Sequence, residues 1–494
     1  MMQESHSENF SGNHTPMTSI RKLHHQLDNI IRYLTPLLPI ANCHMVEFLT
    51  ENHWNKLLPG ALRDSLDKVE LEVSLQNFWQ AAEGHEQTDV PELKKWVTNA
   101  RSYCVTANND YCLSKQQFHD KIKSWGAELK EEIRVKEFMT SKKSYEVQTM
   151  SQLVASLHHA TAATCCVEAG GGRGHLPAAL SLGYNIPSLT IDCDDKTLAA
   201  AVERVKIIQK KWHAIAKRIN KGKEERVTGN ASNNIHRFAK VFITNNTDLC
   251  GIVKEKFPEF ENQDVKLLLT GLHTCGNLGP DSLRLFATND HIATVFNVPC
   301  CYHLLTETVD ENLFDVFQRN YGGGVSDGVQ GFPMSEYLTG FSLGRNGRML
   351  AAQSIDRVVN ERQLPSKSLL YRALLQDIIK KYLPDVKITE GKLKRISSKC
   401  LNFEQYVNAA DAILKLDILD RLSERQLSIE DEDSQWKKLV LFYLIRLCLA
   451  QVVESVILLD RVLYLYENGS EKVHLVKLFD PVVSPRCHSI VAIR

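Results

Sequence analysis

Thr164–His175, reading TCCVEAGGGRGH, is the stretch that decides how this chain folds. A short apolar run, Cys165, Cys166 and Val167, suits a buried strand. Glu168 and Ala169 then lead into a turn holding Gly170, Gly171, Gly172 and Gly174. Leu176 to Leu182 follows as a helix, with Pro177 tolerated in its first turn. Strand, glycine turn and helix is how an open α/β sheet brings backbone against a nucleotide-like ligand. Glycine is needed there because a Cβ would block the chain path or the ligand. A dinucleotide loop wants Gly-x-Gly-x-x-Gly. Counted from Gly170, the third glycine would fall on His175, which disfavours a nicotinamide oxidoreductase. The acid at the strand end, Glu168, can accept from a sugar hydroxyl or a ligand ammonium.

The pattern continues on both sides. Upstream, Val147, Met150, Leu153, Val154 and Leu157 form a helix stripe, with Lys142, Lys143 and Glu146 at its start. Positive charge is unfavourable at a helix start, so Lys143 is a candidate for a ligand carboxylate; a solvated lysine pair is the equal alternative. Downstream, Ser188–Asp192 is a second strand. Asp192 lies about twenty residues past the loop, where an acid can bind both ribose hydroxyls of a nucleoside. Lys196 to Arg218 reads as a long helix continuing to Arg226. Residues 204–226 are the strongly basic stretch, readable as a phosphate-tracking surface or as a solvated face. Lys240–Thr244 is expected as a third strand, followed by Asn245, Asn246 and Asp248, where an acid or amide can read an adenine amino group. Val265–Leu269 is a fourth, running into GLHTCGNL (Gly271–Leu278). Ile292–Val298 is a fifth, ending in PCCYH (Pro299–His303). This alternation predicts a parallel, doubly wound sheet with ligands beyond the carboxyl ends of its strands. Glu168, Asp192, Asp248, His273 and Tyr302 then share one rim.

With 494 residues the chain is too long for one compact core. Its formal net charge is zero, so a nucleic-acid surface must be a local patch. Thirteen cysteines without a regular framework point to reduced thiols in the cytoplasm or nucleus. No membrane partner is expected, because the longest apolar run, Leu439–Leu459, is interrupted by Arg446, Gln451 and Glu454. Residues 1–19 read as a loose tail, 20–139 as a helical lobe and 140–303 as the ligand-binding α/β core. Residues 304–433 read as a largely helical insertion. Residues 434–494 read as a helix, Trp436–Leu459, followed by a hairpin of Val462–Tyr466 and Val473–Phe479 and a last strand, Ser489–Ile493.

Several motifs carry a resemblance: SKKSYEV (Ser141–Val147), EAGGGRGHL (Glu168–Leu176), GLHTCGNL, CCYHL (Cys300–Leu304), GFPMS (Gly331–Ser335), GRMLAAQS (Gly347–Ser354), LLDRVLYL (Leu458–Leu465) and FDPVVSPR (Phe479–Arg486). Together they resemble the methyltransferase-like protein 25 family, with its relatives called ribosomal RNA adenine dimethylase domain-containing proteins, over most of residues 20–494. GLHTCG with CCYH also resembles acceptor-stem tRNA 2′-O-methyltransferases. Glu168 and Arg173 stand where the family usually shows Asp and Lys, which keeps both charges.

The resemblance implies a class I, Rossmann-like methyltransferase fold with a seven-stranded sheet, and S-adenosylmethionine as cofactor. Lys143, Glu168, Ala169, Gly170, Gly172, Gly174, Asp192, Asp248, Gly271 and His273 are the expected cofactor contacts. His273, Tyr302 and His303 are the candidates to take a proton from the methyl acceptor. RNA is the favoured acceptor class, through residues 204–226. A catalytically inactive cofactor-binding scaffold and a protein methyltransferase are the alternatives, the first kept open by the lack of an Asn/Asp-Pro-Pro-Tyr motif. No metal is expected: adjacent cysteines rarely point at one ion and no C-x-x-C pair occurs, so the cysteines read as packing residues.

Overall fold

A computed structural model describes residues 16–107, 110–220, 235–307, 330–386, 400–423 and 431–494, with Leu393, Ile396 and Leu427 between. Its centre is one sheet of β1 (Leu113–Ser114), β2 (Cys165–Ala169), β3 (Ser188–Asp192), β4 (His236–Lys240), β5 (Leu267–Cys275), β6 (Ile292–Cys300), β7 (Lys472–Lys477) and β8 (His488–Ile493). The strands lie in the order β1-β7-β8-β6-β5-β2-β3-β4. From β4 to β6 all neighbours are parallel, whereas β8 runs antiparallel to both β6 and β7. This is the doubly wound sheet with a reversed closing strand expected of a Rossmann-like methyltransferase. It has eight strands rather than seven, because β1, contributed by the N-terminal region, pairs parallel to β7.

β2 is buried on both faces, as a central parallel strand must be. Its adjacent cysteines point opposite ways. Cys165, Val167 and Ala169 face a core shared with the N-terminal helices, and Cys166 faces a second core under the helices Ser141–Ala160 and His175–Tyr184. The N-terminal helix Pro16–Leu34 packs along Ala450–Glu467, so the N-terminal helices and the C-terminal helices fill one continuous core.

Several expected boundaries move. The third parallel strand is His236–Lys240, not Lys240–Thr244. It is held by polar pairing, with Thr190 Oγ1 2.8 Å from His236 Nε2, so an apolar run does not mark it; Phe242 beyond it is 75% exposed. β5 runs on through GLHTC because it stays paired with β6 as far as Cys275 opposite Cys300. Val462–Tyr466 is not a strand. It closes the helix Ala450–Glu467, in which 14 of 18 residues are buried, and the C-terminal hairpin is β7 with β8. The expected single helix from Trp436 is two, Glu432–Leu447 and Ala450–Glu467. By length and composition Glu432–Glu467 is apolar enough to cross a membrane, but 89% of its apolar window is buried inside the protein. The predicted continuation of the basic helix, 221–226, lies outside the described residues; the helix itself spans Asp195–Ile219.

Candidate active site

Gly170, Gly172 and Gly174 have positive φ, 65°, 49° and 66°, a region L side chains avoid. The alternating spacing is therefore set by the path from β2 into the helix His175–Tyr184. Gly171 is required for a different reason. A Cβ there would stand 2.6 Å from Glu168 Oε2 and 2.7 Å from Thr190 Cγ2. The loop folds over the Glu168 carboxylate and leaves no room for a side chain between them.

Glu168 is 3% exposed, and its Oε2 has no hydrogen-bond partner among the described residues. Burial pushes its carboxyl up to about 8, against the pull of Lys143 and the Leu272 backbone N–H. A cavity of about 390 Å³ opens beside it, lined by Lys143, Glu168, Gly170, Gly171, His175 and Leu272 among others. A buried oxygen without a donor is costly, and a cationic donor in this cavity removes that cost. A second cavity of about 420 Å³, near Lys266, Ala293 and Arg494, lies at the opposite, amino ends of the parallel strands.

Asp192 Oδ2 accepts from Gly172 N at 2.9 Å, and Oδ1 accepts from Asp194 N at 3.0 Å. The Glu168 and Asp192 carboxylates thus lie against successive glycines of one loop, close enough for Asp192 to help raise the Glu168 carboxyl. Each Asp192 oxygen still has a lone pair for an outside donor. Ala169 and Gly271 are backbone neighbours: a Cβ on Gly271 would stand 3.3 Å from Ala169 O and 2.3 Å from Thr274 Cγ2. Asp248 is exposed and caps the helix Leu249–Lys256, accepting from Gly251 N at 2.9 Å.

The structure also assembles a hub that sequence reasoning missed. The Glu146 side chain is fully buried. Its oxygens meet Lys143 Nζ at 2.8 Å, Lys142 Nζ at 3.5 Å and His273 Nε2 at 2.9 Å, and accept from Ser484 Oγ at 2.7 Å. Burial opposes its charge, but the His273 hydrogen bond and the His273 and Lys143 charges overcome this and hold the carboxyl well below the usual range. The lysines at the helix start are therefore partners of a buried acid. SKKSYEV, GLHTCGNL and FDPVVSPR all converge on Glu146. The signal available was one acid set beside the apolar stripe of a helix that buries 12 of its 20 residues.

His273 sits in a bulge of β5 with φ 75°, a strained setting for a side-chain-bearing residue. Burial lowers its pKa, yet hydrogen bonds with Cys300 and Glu146 raise it overall. His303 is half-buried, its Nδ1 enclosed and without a partner among the described residues. Tyr302 is a correction. It is fully buried, and its hydroxyl donates to Glu454 Oε1 at 2.8 Å, inside the core. It faces away from the rim and cannot reach an acceptor. Cys275, Cys300 and Cys301 do not serve as apolar filler: Cys275 is exposed, the others are half-buried, and their sulfurs face one another.

This sheet order, with a glycine loop laid over a buried acid, is that of a Rossmann-like methyltransferase fold, and residues 142–308 match the family model described as a methyltransferase domain. The likeness extends well beyond that domain. The chain is 28% identical to "Probable methyltransferase-like protein 25" of Mus musculus, over 96% of each chain. The corresponding Homo sapiens protein is also 28% identical, over 95% of this chain and 96% of its own. The resemblance carried by the motifs thus holds across nearly the whole length. No solved structure matches the chain.

Proposed function

We propose that the chain transfers a methyl group from S-adenosylmethionine, with RNA as the favoured acceptor class. The observation that carries this reading is Glu168 Oε2, a buried carboxylate oxygen without a donor among the described residues, set beside a cavity under bare backbone. It suits the ammonium of an amino acid-bearing cofactor. The outward lone pairs of Asp192 suit ribose hydroxyls, and Lys143, on the cavity wall, suits the carboxylate. When bound, S-adenosylmethionine supplies an electrophilic methyl group on a sulfonium. Alignment of the acceptor with that methyl does most of the work. A hydroxyl or amine acceptor must also lose a proton. His303, half-buried after the end of β6, is the candidate proton acceptor, while His273 is fixed by Glu146 as an orienting group.

RNA is favoured by the helix Asp195–Ile219. Its Lys206, Lys210, Lys211, Lys217 and Arg218 are exposed, and its Arg204 donates to the Arg173 carbonyl in the glycine loop. A cationic face is thereby tied to the cofactor cradle. Incubating the purified chain with methyl-labelled cofactor and fractionated cellular RNA and protein tests the reading. Label in RNA is expected. Label confined to protein replaces the acceptor class, and cofactor binding without any label leaves the inactive scaffold.

A further inference from the structure

At the ends of β5 and β6, three sulfurs converge. Cys275 and Cys300 are the last residues of their strands and pair directly in register. Cys301 follows with φ 49°, a left-handed turn that swings its side chain back toward them. Its Sγ lies 3.4 Å from Cys275 Sγ and 3.4 Å from Cys300 Sγ, and all three sulfurs lie within 4.8 Å of one another. This turn removes the usual objection that adjacent cysteines point apart. The sulfurs are free thiols, far beyond the ~2.05 Å of a disulfide bond. With a zinc–sulfur distance of about 2.3 Å, tetrahedral thiolates stand about 3.8 Å apart. The two 3.4 Å separations to Cys301 need to open by only a few tenths of an ångström to match this spacing.

The surroundings fit as well. His273 lies beside Cys300 and is held, through Nε2, by Glu146 Oε2 at 2.9 Å. Carboxylate-oriented outer groups of this kind fix the geometry of metal ligands. Arg486 places positive charge near Cys300, against the net negative charge that three thiolates and a dication carry. Thiolates select zinc over magnesium or calcium. We propose that Cys275, Cys300 and Cys301 bind one zinc ion through three thiolates, leaving a fourth position open on the exposed side of Cys275. Three protein ligands with an open position is the pattern of zinc sites that bind a further molecule. The inference does not depend on methyl transfer.

The test uses the full chain, purified under reducing conditions without chelator. Elemental analysis is expected to find one zinc per chain. Zinc is lost from Cys275→Ser/Cys300→Ser and retained in Cys193→Ser, which changes an exposed cysteine elsewhere. Circular dichroism shows whether each variant is folded. Independently of any variant, wild-type chain stripped of metal and titrated with cobalt(II) gives a thiolate-to-cobalt charge-transfer band that saturates at one equivalent. Absence of that band, full zinc retention by the double variant, or a Cys275–Cys301 disulfide in freshly purified protein each overturns the proposal.

Discussion

Replacing Glu168 by glutamine keeps the size of the side chain and removes its charge. In the wild type one oxygen is buried without a donor among the described residues, so a ligand ammonium gains a charge-assisted hydrogen bond whose charge glutamine does not replace. Such a bond contributes about 1.5–3 kcal/mol. At about 1.4 kcal/mol per tenfold, the Kd for S-adenosylhomocysteine rises about 10- to 150-fold in Glu168→Gln when both are measured above the Glu168 pKa of about 8, where the wild-type carboxyl is ionised. The pH dependence adds a sharper signature. Burial pushes the Glu168 carboxyl up to about 8, and the ammonium requires its ionised form. Wild-type binding therefore weakens on acidification below that pH, approaching about tenfold per pH unit, while the variant lacks this slope. The unliganded fold behaves oppositely. The folded pKa stands above the ordinary glutamate value of 4.5, so Glu168 contributes stability below about 4.5 that is lost as pH rises through about 8. Unliganded Glu168→Gln is thus the more stable protein at alkaline pH even though it binds worse. Isothermal titration calorimetry over a pH series, with thermal melts of the unliganded proteins, measures both. Equal affinity above the Glu168 pKa, or the same pH slope in the variant, refutes the assignment of the ligand ammonium to this carboxylate.

Asp192→Ala removes the acceptor of two loop N–H groups, Gly172 at 2.9 Å and Asp194 at 3.0 Å. It is expected to weaken S-adenosylhomocysteine by about 1–3 kcal/mol in the same calorimeter, with Asp192→Asn intermediate; undiminished binding would unseat Asp192 from the site. Glu146→Gln leaves Lys143 and His273 without their buried counter-charge and destabilises the fold by about 3–5 kcal/mol. Its pH profile has a defined sign. The Glu146 carboxyl is lowered from 4.5, so its stabilisation is present above that pH and lost on acidification. His273 is raised from 6.5, so its stabilisation is complete below 6.5 and is lost as pH rises through the raised value. The melting difference between wild type and variant is therefore largest between those two limits, and a pH-independent difference would contradict the ion-pair account.

The glycine loop and the strands around it were legible because their signals are local. Alternating glycines mark positive φ, and an apolar run marks a buried parallel strand. What was not legible depends on long-range pairing. The aromatic and β-branched residues of Val462–Tyr466 read as a strand, yet the run lies inside a helix buried almost all round. Tyr302 follows a strand end and reads as a rim residue, but the turn at Cys301 sends it into the core toward Glu454. That same turn gathers three sulfurs that spacing alone scatters. Glu146 acquires its meaning only when Ser484, 338 residues later, reaches it.

The two-residue strand Leu113–Ser114 has a consequence out of proportion to its size. It sits on the outer side of Lys472–Lys477, where the sheet would otherwise present unpaired backbone N–H and C=O groups, a template on which another chain can dock. A fragment cut to the methyltransferase domain and its C-terminal hairpin loses this guard. Such a truncation is expected to self-associate through the bared flank, however well its ligand cradle is preserved.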